Sequence, residues 1–161
     1  MTKAIFLDRD GVIINNEKHY YIFKPEDVVL VDGIVENLKL LKANGFELFI
    51  VSNQGGIAKK LYGFQQVSNV HRLLIKHFAK HQIAFRDIYY CPHHDSVEKC
   101  LCRKPSPLMI EKLAAKHSIN LSQSAMIGDR DSDLQTAKAA GVKGIKIEAN
   151  QNMLPFIQEL I

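Results

Sequence analysis

The stretch KAIFLDRDGVI, residues 3–13, decides the fold of this chain. Its apolar start predicts a buried strand, which ends abruptly at two carboxylates and a glycine. Because side chains two residues apart on an extended backbone point the same way, Asp8 and Asp10 are expected to converge on one small volume. Two carboxylates at such a short distance repel each other unless a hard cation lies between them or one of them is protonated. The alternative is a turn in which both only accept local backbone hydrogen bonds.

Further apolar runs alternate with helical patterns along the chain. Strands are predicted at 46–51, 85–90, 125–127 and 144–147, with a short strand or extended segment at 28–31. Helices are predicted between Gly33 and Asn44 and at 64–81, 106–117, 131–140 and 152–161. This alternation predicts an α/β protein, a three-layer Rossmann-like fold with a central, mainly parallel five-stranded sheet. The intervals between Asp10, Ser52 and Cys91 are too short for a separate cap domain, so residues 1–161 are expected to form a single domain.

Chemically active side chains follow four of the predicted strands. They are Asp8 and Asp10 after the first, Ser52 and Asn53 after the second, the cysteines after the third and Asp129 after the fourth. Ligands of parallel sheets bind at the carboxyl ends of the strands. The sequence therefore predicts one site at that edge of the sheet.

Composition narrows the class of partner. Apolar residues make up 47% of the chain, and the net charge of +4 comes from dispersed Lys and Arg. This pattern favours an anionic small-molecule substrate and argues against nucleic acid, which usually needs a basic stripe. No apolar run is long enough to span a bilayer, and the first residues do not resemble a signal peptide. We expect a cytoplasmic protein without a membrane partner, and a monomer.

A second pattern is the loop with Cys91, Cys100 and Cys102, which also contains His93 and His94. Three thiolates and one imidazole can form a closed tetrahedral Zn²⁺ site, which has a structural role because no coordination position stays open. His93 is the favoured fourth ligand, since Cys-x-His and Cys-x-Cys make a symmetric pair. The alternative is three buried thiols without metal.

Taken together, the motifs resemble those of the haloacid dehalogenase-like phosphohydrolases. The matching residues are Asp8-x-Asp10-Gly11-Val12, Ser52-Asn53, Lys104 and Gly128-Asp129-x-x-x-Asp133. The resemblance implies that Asp8 is the nucleophile, forming an aspartyl phosphate, and that Asp10 is the general acid and base. It implies phosphate contacts from Ser52 and Lys104. It also implies Mg²⁺ held by Asp8, Asp129 and, through a nearby backbone carbonyl, Asp10. Asp133 is expected to orient Lys104 or a metal-bound water rather than to bind the ion directly, or only to be a carboxylate in the first turn of a helix.

The cysteine loop resembles a narrower branch, which contains the D-glycero-D-manno-heptose 1,7-bisphosphate phosphatases and the histidinol-phosphate phosphatases. Several stretches look closer to the heptose enzymes, which implies removal of the 7-phosphate within heptose biosynthesis for lipopolysaccharide or another glycan. Substrate contacts are then expected from His19, Tyr21, Ser52, Asn53, Gln54, Arg103, Lys104 and Arg130. The alternatives are a histidinol-phosphate phosphatase and a non-catalytic zinc-binding interaction module on the same fold.

The lack of a cap predicts an open cleft. Its walls are expected to be a flap at 19–23 and the cysteine loop. Arg103 and Arg130 are expected to bind a second phosphate of the substrate. Surface cations are the alternative for both arginines. The histidines on predicted helices are expected at the surface or its boundary; they are His71, His77, His81 and His117.

Overall fold

The computed structural model describes residues 1–161 and has a parallel five-stranded sheet at its centre. The strands are β1 (Ala4–Leu7), β2 (Glu47–Asn53), β3 (Phe85–Cys91), β4 (Ala125–Gly128) and β5 (Lys143–Lys146). Their order in the sheet is β3-β2-β1-β4-β5, and every neighbouring pair is parallel. The helices are α1 (Ile34–Ala43), α2 (Phe64–Ala79), α3 (Leu108–His117) and α4 (Asp131–Ala140). The predicted fold class is confirmed.

The sheet divides the core into two parts. On one face, Ile5 and Leu7 of β1 belong to a cluster with residues of α1 and α2. On the other face, Ala4 and Phe6 belong to a cluster with residues of α3 and α4. All four side chains of β1 are fully buried, as expected for the central strand of a sheet covered on both sides.

Helix α4 shows how local sequence sets the ends of an element. At its start, the Asp133 carboxylate accepts a hydrogen bond from the backbone N–H of Arg130 at 3.1 Å, which satisfies one of the donors that a helix leaves unpaired. At its end, Gly141 has a φ of 74°, a conformation that glycine adopts without a side-chain penalty. The predicted bounds of this helix, 131–140, are correct.

One prediction at the segment level is wrong. Residues 152–161 do not form one helix but two short 3-10 turns, Leu154–Phe156 and Gln158–Leu160. Pro155 is no obstacle, because proline is tolerated in a first helical turn, but the segment bends to bury Met153 and Ile157 against the core. Residues 28–31 form an extended segment, one of the two predicted alternatives, with a single bridge between Leu30 and Ile14.

The register of the sheet brings the strand ends together. Leu7 lies beside Ile50 of β2 and Ile127 of β4, so the chain leaves all three strands at the same edge. Asp8 continues the pairing by donating its backbone N–H to the Ile127 carbonyl at 3.0 Å. No helix combines the length and apolar character needed to cross a bilayer.

Candidate active site

Three carboxylates converge where β1 and β4 end. One oxygen from each of Asp8, Asp129 and Asp133 lies within 4.8 Å of the others. Gly11 permits this approach, because a Cβ at this position, where φ is 88°, would lie 2.7 Å from the Asp129 carboxylate. Burial, with repulsion from Asp8 and Asp133, raises the pKa of Asp129 to about 6. The site concentrates negative charge.

Lys104 is the one cation inside this cluster. Its side chain is almost completely buried, and its Nζ lies 2.8 Å from Asp8 Oδ1 and 2.7 Å from Asp133 Oδ1. It also donates to the Val51 carbonyl at 3.0 Å. Burial alone lowers the pKa of a lysine, but the two carboxylates outweigh it and raise the pKa of Lys104. Lys104 therefore remains charged at neutral pH.

Asp133 combines the two roles considered from the sequence. Its Oδ1 pairs with Lys104 at 2.7 Å, while its other oxygen caps α4. A Cβ on Gly128 would collide with the Asp133 side chain, so the glycine at the end of β4 is required for this arrangement. Asp133 therefore orients Lys104 and caps α4 at the same time.

The Asp10 carboxylate lies beside this cluster rather than within it. Arg9 binds both of its oxygens at 2.9 Å, and Gln54 Nε2 donates to its Oδ2 at 3.2 Å. Asp8 and Asp10 thus share the edge of the sheet as predicted, but their side chains have different partners. The Asp133 carboxylate completes the acidic cluster, and the expected contribution of Asp10 to a magnesium site, through a nearby backbone carbonyl, stays a prediction.

Ser52 and Asn53, at the end of β2, play different parts. Ser52 is 1% exposed, and its Oγ accepts a hydrogen bond from Gln54 at 2.8 Å, which leaves its own hydroxyl hydrogen free to donate. Asn53 exchanges two hydrogen bonds with the backbone of Lys104, at 3.0 and 3.2 Å. The Asn53 side chain therefore holds the segment containing Lys104 against β2. Asn53 also lines the cleft.

The four predicted zinc ligands meet at the carboxyl end of β3. Cys91 Sγ lies 3.0 Å from Cys102 Sγ, 3.7 Å from Cys100 Sγ and 3.5 Å from His93 Nδ1. A zinc–sulfur bond of 2.3 Å implies ligand separations of roughly 3.8 Å in a tetrahedron. The distances from Cys91 to Cys100 and His93 are near this value, whereas the distance to Cys102 would have to lengthen for zinc to bind. His94 turns away, and its Nδ1 lies 2.8 Å from Ser96 Oγ.

An open cleft of about 290 Å³ lies above these groups. Among the predicted contact residues, those lining it are Asp8, Asp10, Tyr21, Asn53, Gln54, Arg103, Lys104 and Arg130. His19 is not among them: it lines a separate cavity and faces Asp27 at 3.6 Å. Asp129 and Ser52 are also absent from the lining.

Sequence reasoning missed several residues of the site. Tyr20, Tyr62 and His94 line the cleft, and Arg130 donates to the Tyr20 hydroxyl at 3.2 Å while lying over its ring. The close spacing of Tyr20 and Tyr21 in the flap is the one signal that the sequence offered. His71, expected near the surface, is buried on α2 beside Arg9.

Metal chemistry fits both clusters. Three carboxylates and one ammonium give the acidic cluster a formal charge of −2, and Asp129 Oδ1 is buried without a hydrogen-bond partner. Oxygen donors with this charge suit a hard divalent cation. The cysteines and His93 instead suit zinc, which prefers sulfur and nitrogen donors.

Relatives of known name match nearly the whole chain. A D-glycero-beta-D-manno-heptose-1,7-bisphosphate 7-phosphatase from Vibrio cholerae serotype O1 is 37% identical over 150 residues, covering 89% of this chain and 79% of that protein. A D-glycero-alpha-D-manno-heptose-1,7-bisphosphate 7-phosphatase from Campylobacter jejuni is 40% identical over 141 residues, covering 88% and 79%. The chain belongs to the haloacid dehalogenase-like phosphatases. These enzymes are phosphoric monoester hydrolases.

Two further comparisons agree with this membership. The family model for HAD-hydrolase-like proteins matches residues 101–152. The crystal structure of D,D-heptose 1,7-bisphosphate phosphatase from B. bronchiseptica, complexed with magnesium and phosphate, superposes with a TM-score of 0.85 at 25% identity. It covers 98% of this chain and 87% of that one. The resemblance inferred from the motifs is confirmed.

Proposed function

We propose that this chain removes the 7-phosphate of D-glycero-D-manno-heptose 1,7-bisphosphate, acting as one domain through a phosphorylated Asp8. The observation that supports it most is the ion pair of Lys104 with Asp8 inside the acidic cluster, at 2.8 Å. It places a buried cation beside a carboxylate at the foot of an open cleft. This arrangement suits attack on a phosphate dianion, which an unshielded carboxylate would repel.

Asp8 is the nucleophile because of the way its oxygens are held. Lys104 and the backbone N–H of Arg9 both bind Oδ1, each at 2.8 Å, which leaves Oδ2 to attack phosphorus. Ser52 donates its free hydroxyl hydrogen to a phosphoryl oxygen, and Lys104 offsets the charge that develops there. Asp10 lines the cleft and protonates the leaving oxygen, then takes a proton from the water that hydrolyses the aspartyl phosphate.

We further propose a cation for each cluster. Asp8, Asp129 and Asp133 would hold Mg²⁺ together with the backbone near Asp10, and the ion would supply charge neutralisation between carboxylates and phosphate. Cys91, His93, Cys100 and Cys102 would hold a structural Zn²⁺.

The substrate follows from the relatives and from the walls of the cleft. Both curated relatives carry the name of a heptose-1,7-bisphosphate 7-phosphatase, one for each anomer. Arg103 and Arg130 both line the cleft, and a guanidinium can bind a second phosphate through two parallel hydrogen bonds. A bisphosphate therefore suits this cleft better than histidinol phosphate, which has one phosphate and a cationic group.

The deciding experiment compares both anomers of the heptose bisphosphate with histidinol phosphate by steady-state kinetics. We expect a higher kcat/KM for a heptose bisphosphate, with phosphorus NMR showing heptose 1-phosphate as product. Arg130→Ala should raise KM for the bisphosphate by about tenfold and leave p-nitrophenyl phosphate nearly unchanged. A preference for histidinol phosphate would overturn the substrate, and hydrolysis of neither would favour the non-catalytic module.

A further inference from the structure

Arg9 is a buried guanidinium, and each of its three nitrogens has a hydrogen-bond partner. Its side chain is fully buried, which is costly for a charged group unless its donors are paired. Nε and Nη2 bind the two oxygens of Asp10, each at 2.9 Å. Nη2 also donates to the Ile22 carbonyl at 2.7 Å, and Nη1 faces His71 Nε2 at 3.4 Å. Arg9 therefore fixes the plane of the Asp10 carboxylate.

Gln54 holds the same carboxylate from a second side. Its Nε2 donates to Asp10 at 3.2 Å and to Ser52 at 2.8 Å, while its Oε1 accepts from Arg9 at 3.3 Å and from Tyr62 at 2.8 Å. The opposite orientation of the amide would bring donors against the guanidinium. A carboxylate has about four acceptor positions. Arg9 and Gln54 occupy three of those on Asp10, which leaves about one for a proton exchanged in the cleft.

His71 closes the far end of this network. It lies on α2, is 7% exposed, and packs edge-on against the Tyr90 ring with centroids 5.6 Å apart. Because a guanidinium can only donate, His71 Nε2 must accept, and the ring proton must lie on Nδ1. Burial and the charge of Arg9 lower the pKa of His71 to about 3, so the ring is neutral under working conditions.

We propose that His71 is a positioning residue for the proton-transfer step, acting through Arg9 on Asp10. Its lone pair fixes the guanidinium, and the guanidinium holds the carboxylate facing the leaving oxygen. The inference rests on the proposed function, because Asp10 needs this placement only if it protonates a leaving group. If the network merely stabilised the buried Arg9, its loss would lower stability and active fraction without any preference among substrates.

The chemistry of the first step provides a way to separate these two roles. As the bond from Asp8 Oδ2 to phosphorus forms, the bond to the leaving oxygen breaks, and the proton of Asp10 passes to that oxygen. A sugar alkoxide is a poor leaving group and needs the proton. A p-nitrophenolate leaves without one. The value of kcat/KM covers only the steps through the first irreversible one, so the later hydrolysis of the aspartyl phosphate does not confuse the comparison.

The test measures kcat/KM for the heptose bisphosphate and for p-nitrophenyl phosphate with a single preparation of each variant. His71→Phe keeps an aromatic ring but removes the acceptor. We expect kcat/KM to fall about tenfold for the heptose bisphosphate but less than about threefold for p-nitrophenyl phosphate. His71→Gln restores an acceptor and should bring the ratio of the two values back to within about threefold of wild type. Arg9→Lys keeps the charge but cannot bind both oxygens in parallel, so it should change the ratio in the same direction as His71→Phe.

The ratio is independent of the folded fraction, because both substrates meet the same preparation. An equal loss with both substrates in His71→Phe, or a His71→Gln variant with the same ratio as His71→Phe, would overturn the inference while leaving the proposed function standing. If the wild-type enzyme hydrolyses histidinol phosphate instead of the heptose bisphosphate, the proposed substrate fails. The same ratio is then measured with histidinol phosphate, which is also an alkyl ester.

Discussion

The acidic cluster and the cysteine cluster are both four-residue sites, but they are built in opposite ways. The acidic cluster joins residues from three distant parts of the chain, Asp8, Lys104 and the pair Asp129 and Asp133, and the aspartates meet because β1 and β4 end side by side. The cysteine cluster takes all four residues from one segment, 91–102. The first site is held by the sheet, whereas in the second only Cys91 belongs to a strand and the other three residues lie in the loop that follows.

Residues 103–104 connect the acidic cluster with the cysteine cluster. Lys104 follows Cys102 by two residues, and Asn53 of β2 holds its backbone through two hydrogen bonds. Arg103 donates to the carbonyl of His93, a residue of the cysteine cluster, at 3.1 Å. We therefore expect zinc, if bound by the cysteine cluster, to affect catalysis only through the position of Lys104 and Arg103, and the acidic cluster to take part in the proposed chemistry itself. Four changes test this distinction, from the largest expected effect to the smallest.

Asp8→Asn should abolish the activity of the acidic cluster and leave the fold intact. The variant lacks the nucleophile, so we expect phosphate release to fall by roughly 10⁴-fold or more. Asp131→Asn is the matched control, because Asp131 is an exposed carboxylate that pairs only with Lys146, at 2.6 Å. A colorimetric phosphate assay with circular dichroism measures both properties. Turnover near the wild-type rate in Asp8→Asn would refute the assignment of the nucleophile.

Lys104→Met should reduce activity by about 10²- to 10³-fold and also destabilise the protein. Removing the ammonium leaves Asp8 and Asp133 buried without their partner, and breaking a buried ion pair costs about 3–5 kcal/mol. Lys146→Met is the control, since Lys146 pairs with Asp131 at the surface. Urea unfolding and steady-state kinetics measure the two effects. A variant as stable as the control would contradict the structural role of the ion pair.

Cys100→Ser should remove zinc and lower activity by about tenfold, less than the changes in the acidic cluster. Elemental analysis of the wild-type chain should find about one zinc per chain, and the variant should have lost it and melt at a lower temperature. His94→Ala is the control for zinc content, because His94 lies in the same loop but faces Ser96. Zinc retained in Cys100→Ser, or lost in His94→Ala, would show that the ligand set is wrong.

Asp129→Asn should stabilise the protein slightly when no magnesium is added. The pKa of Asp129 is raised in the folded state from 3.8 to about 6, so the fold favours the protonated form. The stabilisation that protonated Asp129 contributes to the folded state is complete below pH 3.8 and is lost as the pH rises through about 6. At pH 7.5 the Asp129→Asn variant should therefore have a free energy of unfolding about 1 kcal/mol higher than wild type. This value is reduced for solvent screening, because the group is partly exposed.

Thermal unfolding at several pH values measures this last effect. The gain should disappear at pH 4, and saturating magnesium should stabilise the wild-type chain but not the variant. Asp131→Asn again serves as the control. A variant that is less stable than wild type at pH 7.5 without magnesium would contradict the repulsion inferred for this cluster.

The errors of the sequence-based prediction fall in segments and contacts that local periodicity does not decide. Residues 152–161 have apolar positions typical of a helix, but the burial of Met153 and Ile157 decides a different path. His19 lies in the predicted flap, yet it faces Asp27 and not the cleft. The direction of a loop side chain depends on packing between distant segments, and no local pattern records it.

The sequence alone determined the alternation of strands and helices and the row of reactive residues after β1, β2, β3 and β4. Strand periodicity and the common edge of parallel strands are short-range properties, so they can be deduced from the order of residues. Only the tertiary structure decided that Asp133 joins Asp8 and Asp129, that Arg9 folds back onto Asp10, and that His71 lies buried behind it. Those contacts depend on the path of the chain between the elements and on pairing every buried charge, which are properties of the whole fold.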